Sequence, residues 1–207
     1  QKELADGALE RAHSHDYPWE IAAKLAEMGL IGITVKEEDG GIGGSLMDAV
    51  IAIQELALVC PKSADVVQAG NFGAIRTFAE YASPYMKEKY LPDLLASKKL
   101  LALGMSEPGA GSSVTELKTS AVEDGDHYII NGSKVFSTHS PHADTFLIYV
   151  RFGDGLDGIG SIMVDRGTPG FEVGQPSAFM SGEEWCQLYF DNCRIPKENV
   201  FYVEDII

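Results

Sequence analysis

A chain of 207 residues, 45% hydrophobic and 23% charged, has room for one large or two small domains of an ordinary globular protein. Its 16 basic and 31 acidic side chains give a net charge of -15, shared by both halves: 10 against 15 up to residue 100, 6 against 16 after it. Such a surface repels phosphate backbones and anionic lipid, which argues against nucleic-acid and membrane partners. Any anionic ligand must then be held by local N–H groups and a few placed side chains. The longest apolar passages, such as Phe146 to Val150, are strand-sized, well short of the roughly 20 residues of a membrane span. Cys60, Cys186 and Cys193 stand at unrelated spacings, so neither a disulfide framework nor a zinc pattern follows, and a reducing compartment is expected. The chain starts at Gln1 without a signal-peptide pattern and stops at Ile207 without a cap or polar tail; both ends read as cuts in a longer protein.

Residues 1–99 read as an α-helical domain. Asp16 is placed to cap a helix with Pro18 in its first turn, Ile21, Leu25 and Met28 at helical spacing, and Gly29 to end it. The glycine-rich run Asp39 to Gly44 leads to Ser45, a second cap with Asp48 in the first turn. Met47, Val50, Ile51, Gln54 and Leu58 follow as in an amphipathic helix. One helix is predicted over Val66 to Tyr81 despite Gly70 and Gly73. Another starts at Ser83–Pro84 and runs to about Tyr90, with a short closing turn from Pro92 to Ser97.

Residues 100–207 change grammar and read as a β domain. Strands are predicted at Leu101 to Met105, Lys118 to Glu123, Tyr128 to Ile130, Val135–Phe136, Thr145 to Arg151, Ile159 to Val164, Phe171 to Val173 and Gln187 to Phe190. Asp124–Gly125 and Asn131–Gly132 are tight-turn dipeptides. Helices first and strands second make an α+β chain: an N-terminal helical domain followed by an antiparallel sheet or barrel. No alternating βαβ series supports a Rossmann domain.

The segment Leu103-Gly-Met-Ser-Glu-Pro-Gly-Ala-Gly-Ser-Ser113 leaves a strand into a turn rich in glycine and hydroxyls. Glycines let backbone approach a flat or anionic ligand, and exposed N–H groups can cradle negative oxygen. Alone, such a turn is most simply a surface loop.

The order of motifs is more specific. Ser106-Glu-Pro108 followed by Ala110-Gly-Ser112 resembles the TEP-x-AGSD signature of acyl-CoA dehydrogenases. Gly125 to Tyr128, Asn131 to Lys134, Phe136 to Thr138 and Ala143–Asp144 resemble that family's GDxYxLNGxKxWITNxxxAD run. Pro169 to Phe171 and Phe190 to Val200 are similar to its PGF and FEDVKVPxENVL segments; Glu37 to Gly41 and Glu88 to Pro92 resemble its PEEYGG and KEKYLP turns. The resemblance runs along nearly the whole chain.

It implies FAD as cofactor and acyl-CoA as substrate. By position it places Leu103, Gly104, Met105, Ser106, Gly111 and Ser112 along the flavin, with Ser106 bonding the ring edge and Ser112 touching the CoA part of the substrate. Thr138 matches a hydroxyl near flavin N5, and Phe136 stands where the family has a tryptophan. Ser137 replaces an apolar residue, so the local flavin environment is expected to differ. The family's GxRxS/T run is here Phe179 to Trp185, without the Arg or the hydroxyl after it, and the loop Gly153 to Gly158 is short. Ser113 stands in place of the usual Asp. Atypical substrate binding is therefore expected.

His13 and His15, and His139 and His142, have no standard metal spacing, so no metal site is nominated. Glu183–Glu184 is not read as a pair of catalytic carboxylates, because neighbours on a strand face opposite ways; it reads as a solvated turn. Glu107 is structural in the family and is not nominated as a base.

In the family's reaction a carboxylate removes the α-proton of the thioester while hydride passes from the β-carbon to the flavin. Hydrogen bonds to the thioester carbonyl must stabilise enolate charge, and burial must raise the carboxylate's basicity. The resemblance places that base in a C-terminal helical domain absent from these residues, so no catalytic residue is nominated and the isolated piece is expected to be inactive. It further implies an electron-transfer flavoprotein as electron acceptor, a homotetrameric or dimeric parent, and a prokaryotic cytoplasm or mitochondrial matrix. The alternatives are an oxygen-using flavin oxidase or monooxygenase, and a non-catalytic binding protein with the same fold.

Overall fold

The computed structural model describes residues 2–180 and 182–201. These divide into two compact units, one reaching Leu100 and taking in Met180 and Gly182, the other comprising Leu101–Phe179 and the residues from Glu183 on.

In the first unit, short helices α1 (Lys2–Ala5) and α2 (Ala8–His13) precede α3 (Trp19–Glu27). The cap predicted at Asp16 is not used; Pro18 is the N-cap residue. The reason is Tyr17, which is buried and packs edge-on against Trp19 at 4.7 Å, so the helix starts only after the chain has turned inward. Gly29 does end α3: the N–H groups of Gly29 and Leu30 return to the carbonyls of Ala26 and Leu25. Helix α4 (Leu46–Ala57) opens on a capping box, with Asp48 N–H donating to Ser45 Oγ at 3.2 Å and Ser45 N–H to the Asp48 carboxylate at 2.8 Å. Only Ala49 of α4 is buried; Met47, Val50 and Ile51 are exposed.

The helix predicted over Val66 to Tyr81 is two helices, α5 (Pro61–Ala69) and α6 (Ala74–Tyr81), broken at Gly70 to Gly73. The segment after α3 docks on the break: Gly32 N–H donates to Gly70 C=O at 2.9 Å. The buried Asn71 amide donates to Leu30 C=O at 2.7 Å and Val67 C=O at 2.8 Å. Helix α7 (Pro84–Leu95) begins at the Ser83 cap and runs through Pro92 instead of ending near Tyr90. An interior proline costs about 3 kcal/mol, but buried Leu91 and Leu94 on the same helix each return about 2 kcal/mol.

The second unit is one nine-stranded sheet of β1 (Leu101–Gly104), β2 (Ser120–Asp124), β3 (His127–Thr138), β4 (Thr145–Arg151), β5 (Ile159–Asp165), β6 (Phe171–Val173), β7 (Ser177–Ala178), β8 (Glu184–Pro196) and β9 (Val200–Phe201). The order is β6-β8-β3-β2-β4-β5-β9, with β1 on β4 and β7 on β8. Most pairings are antiparallel, but β1 and β2 meet β4 in parallel, so the sheet is mixed. Phe146, Leu147, Ile148 and Val150 of β4 are fully buried, as suits an interior strand with neighbours along both edges.

Asp124–Gly125 opens the predicted hairpin, Asp124 pairing with His127. Asn131–Gly132 makes no turn. Strand β3 runs straight through it, and the dipeptide is a bulge where the β8 register shifts. Gly132 has φ +145°, and a Cβ there would lie 2.7 Å from Thr119 Cα. Asn131 Oδ1 accepts Asn192 N–H of β8 at 2.8 Å, which holds the bulge open.

Candidate cofactor site

The glycine-hydroxyl turn after β1 is anchored from beneath by one buried ion pair. Lys134 alternates inward on β3, opposite Leu188, with its side chain fully buried. Its ammonium donates to Glu107 Oε1 at 2.8 Å and to Met105 C=O at 3.1 Å. Glu107 Oε1 also accepts Thr119 N–H at 2.9 Å, and Oε2 accepts Lys118 N–H at 2.7 Å. Burial opposes ionisation of Glu107, but Lys134, Thr119 and Lys118 outweigh it and hold the carboxyl at about 2. Burial pushes the Lys134 ammonium down, and Glu107 works against that shift. A carboxyl so stabilised as an anion is a poor general base; its work is to fix the turn.

The turn is tight. Glu107 and Ala110 exchange N–H···O=C bonds of 2.9 and 3.1 Å, leaving Pro108 and Gly109 at an exposed tip. Val135 N–H donates to Ser106 C=O at 2.8 Å, and Ser137 Oγ donates to Leu103 C=O at 2.8 Å. The segments Leu103 to Ser112 and Phe136 to Thr138 are thereby held side by side.

Within them, the nominated residues divide by the direction they face. Gly104 is buried, and a Cβ there would lie 2.6 Å from Ile148 Cδ1, so its glycine serves packing. Ser137 is also buried and its hydroxyl is spent on Leu103, so it does not alter the surface a ligand would meet, contrary to the expectation from sequence. Leu103, Met105, Ser106 and Thr138 are half-buried, and Gly111 and Ser112 are exposed. A Cβ on Gly111 would meet no atom within 4 Å. The fold itself does not demand glycine there, as is expected where the missing side chain clears room for a ligand.

Phe136 is the odd residue. It sits in the bulge between Lys134 and Ser137 with φ +56°, and its ring is turned outward, leaving the residue 58% exposed. A left-handed backbone at a bulky residue costs on the order of 1 kcal/mol. Strain is thus combined with an exposed phenyl ring beside Thr138. An open glycine backbone, hydroxyls and an outward aromatic ring fit a flat conjugated ligand such as a flavin.

A model of the acyl-CoA dehydrogenase N-terminal domain matches residues 1–98, and one of the middle domain matches residues 102–193. The chain belongs to the acyl-CoA dehydrogenase family. The acryloyl-CoA reductase (NADH) of Anaerotignum propionicum is 35% identical over 96% of this chain and 52% of its own length. The solved butyryl-CoA dehydrogenase of Megasphaera elsdenii superimposes with a TM-score of 0.86 at 30% identity, over 98% of this chain and 55% of that one. The FAD complex of PigA gives 0.86 at 25% identity, over 98% and 54%. The chain spans about half the length of these relatives.

Three features of this chain escape sequence reading. Lys134 sits within a recognised motif, yet its burial as the turn's counter-ion shows only in the β3–β8 register. Arg151 closes the short loop after β4, donating to Gly155 C=O at 2.8 Å, Gly153 C=O at 3.2 Å and Leu117 C=O at 2.9 Å. Glu184 is not a solvated turn residue: it begins β8, and its carboxylate lies 3.6 Å from His142 Nε2. Among the described residues no cluster of metal-ligating side chains occurs, and no helix is long and apolar enough to cross a membrane.

Proposed function

We propose that the β unit packs FAD against Met105 to Ser112 and Phe136 to Thr138, and that the full-length protein dehydrogenates an acyl-CoA thioester between its α and β carbons. Bound FAD supplies the acceptor for the two electrons that leave the thioester. Ser106 and Thr138 offer hydroxyls to the ring edge, Phe136 packs on it, and Ser112 lies at the exposed end where CoA would pass. The observation that carries this is the lateral union of the two segments, by Val135 N–H to Ser106 C=O and Ser137 Oγ to Leu103 C=O, both 2.8 Å. Neither segment alone presents both hydroxyls and an aromatic ring.

The family resemblance puts the carboxylate that removes the α-proton in the part of the relatives that this chain does not span; Glu107, held at about 2, is unsuited to that role. An electron-transfer flavoprotein takes the electrons, in a homotetrameric or dimeric enzyme of a prokaryotic cytoplasm or a mitochondrial matrix.

The test is anaerobic mixing of the purified full-length protein with acyl-CoA thioesters of graded length. Bleaching of a bound-flavin band supports the proposal; a colourless protein without affinity for FAD, or a flavin that no acyl-CoA bleaches, refutes it. Reoxidation in air separates the dehydrogenase, which is slow, from an oxygen-using relative.

A further inference from the structure

We propose that Trp185 is a cofactor-contact residue, its indole forming with Phe136 the aromatic wall on which the flat flavin ring packs. Trp185 can act this way only if FAD lies where proposed above. In the family this stretch reads GxRxS/T, and nothing in that pattern assigns an aromatic ring to the position.

The geometry begins with the pairing of β3 and β8. Thr138 is opposite Trp185, Ser137 opposite Cys186, and Lys134 opposite Leu188. Ser137, Cys186, Lys134 and Leu188 are all buried, so alternation turns Thr138 and Trp185 to the other face. The bulge at Phe136 turns that ring to the same side, and the Phe136 and Trp185 centroids are 4.7 Å apart at 56°. The Phe179 ring lies 6.0 Å from the indole, and Phe179 is 39% exposed. Trp185 therefore meets both phenyl rings and is paired across the strands with Thr138, the hydroxyl nominated for the flavin edge.

Packing within the chain does not require this arrangement. Solvent covers more than half of Phe136, which a cluster formed for core burial would have turned inward. An apolar wall held open by a strained backbone is suited to a planar conjugated ligand, because two rings tilted by 56° can meet it one by its face and the other by its edge, both favoured aromatic geometries.

The experiment uses the full-length protein and FAD. The emission lost in Trp185→Phe is that of Trp185, whatever other tryptophans the full-length protein carries. Addition of FAD is expected to quench most of that emission. Trp185→Ala is expected to weaken FAD binding about tenfold, and Trp185→Phe to recover it to within about threefold. If wild-type protein binds FAD but Trp185→Ala binds equally well and the Trp185 emission is unchanged, the role of Trp185 is overturned while the flavin site stands. If wild-type protein does not bind FAD, both fall. Should Trp185→Ala fail to fold by circular dichroism, the quenching of the Trp185 emission alone decides.

Discussion

Replacing Glu107 with glutamine strips the turn of its charge and leaves Lys134 buried without a counter-ion. The carboxylate accepts from Lys134, Thr119 and Lys118 at 2.8, 2.9 and 2.7 Å, through both oxygens. An amide has one acceptor oxygen, so at least one backbone N–H would then face an NH2 group. Removing one partner of a buried pair costs about 3–5 kcal/mol, because the remaining charge stays desolvated. The lowered titration of the carboxyl, which arises from the same contacts, points to a similar size. A fall from the ordinary 4.5 to about 2 corresponds to about 3 kcal/mol at 1.36 kcal/mol per unit. Since the folded carboxyl titrates below the unfolded one, that stabilisation is complete above pH 4.5 and is lost as the pH falls toward 2. Thermal melting at neutral pH should show Glu107→Gln lowered by about 12–40 °C, for a unit of roughly 100 residues. Between pH 4.5 and 2 the wild type should lose stability that the variant never had. The double variant Glu107→Gln/Lys134→Met should be less destabilised than the sum of the singles, as the uncompensated ammonium is gone. A single variant within about 1 kcal/mol of wild type, with the same acid slope, would refute the assigned role of the pair.

Gly132→Ala must place a Cβ 2.7 Å from Thr119 Cα at φ +145°, and should lower the unfolding free energy from denaturant titration by about 2–4 kcal/mol. Ser137→Ala leaves the Leu103 carbonyl without its 2.8 Å donor and should cost about 1–2 kcal/mol in the same assay. Phe136→Gly relieves the φ of +56° while removing a ring that is 58% exposed, so stability should stay within about 1 kcal/mol. Equilibrium titration of the full-length Phe136→Gly protein should meanwhile show weaker FAD binding, separating function from stability.

What the sequence determined by itself was local. The capping box at Ser45 and Asp48, the helix end at Gly29, and β4 at Thr145–Arg151 depend on nearest-neighbour chemistry and period, and the chain behaves as those predict. The order of motifs likewise carried the family, because each marks a turn or strand edge at a set distance from the next. Tertiary structure decided the rest. Asn131–Gly132 carries the same turn chemistry as Asp124–Gly125, but pairing with β8, some 60 residues away, turns it into a bulge. Pro92 stays in a helix because its neighbours are buried, and Lys134 is an inward counter-ion because register places it opposite Leu188. The outward ring of Phe136 and its contact with Trp185 arise the same way. Strand pairing brings together residues that no local window can see, and it sets which side chains a ligand would meet.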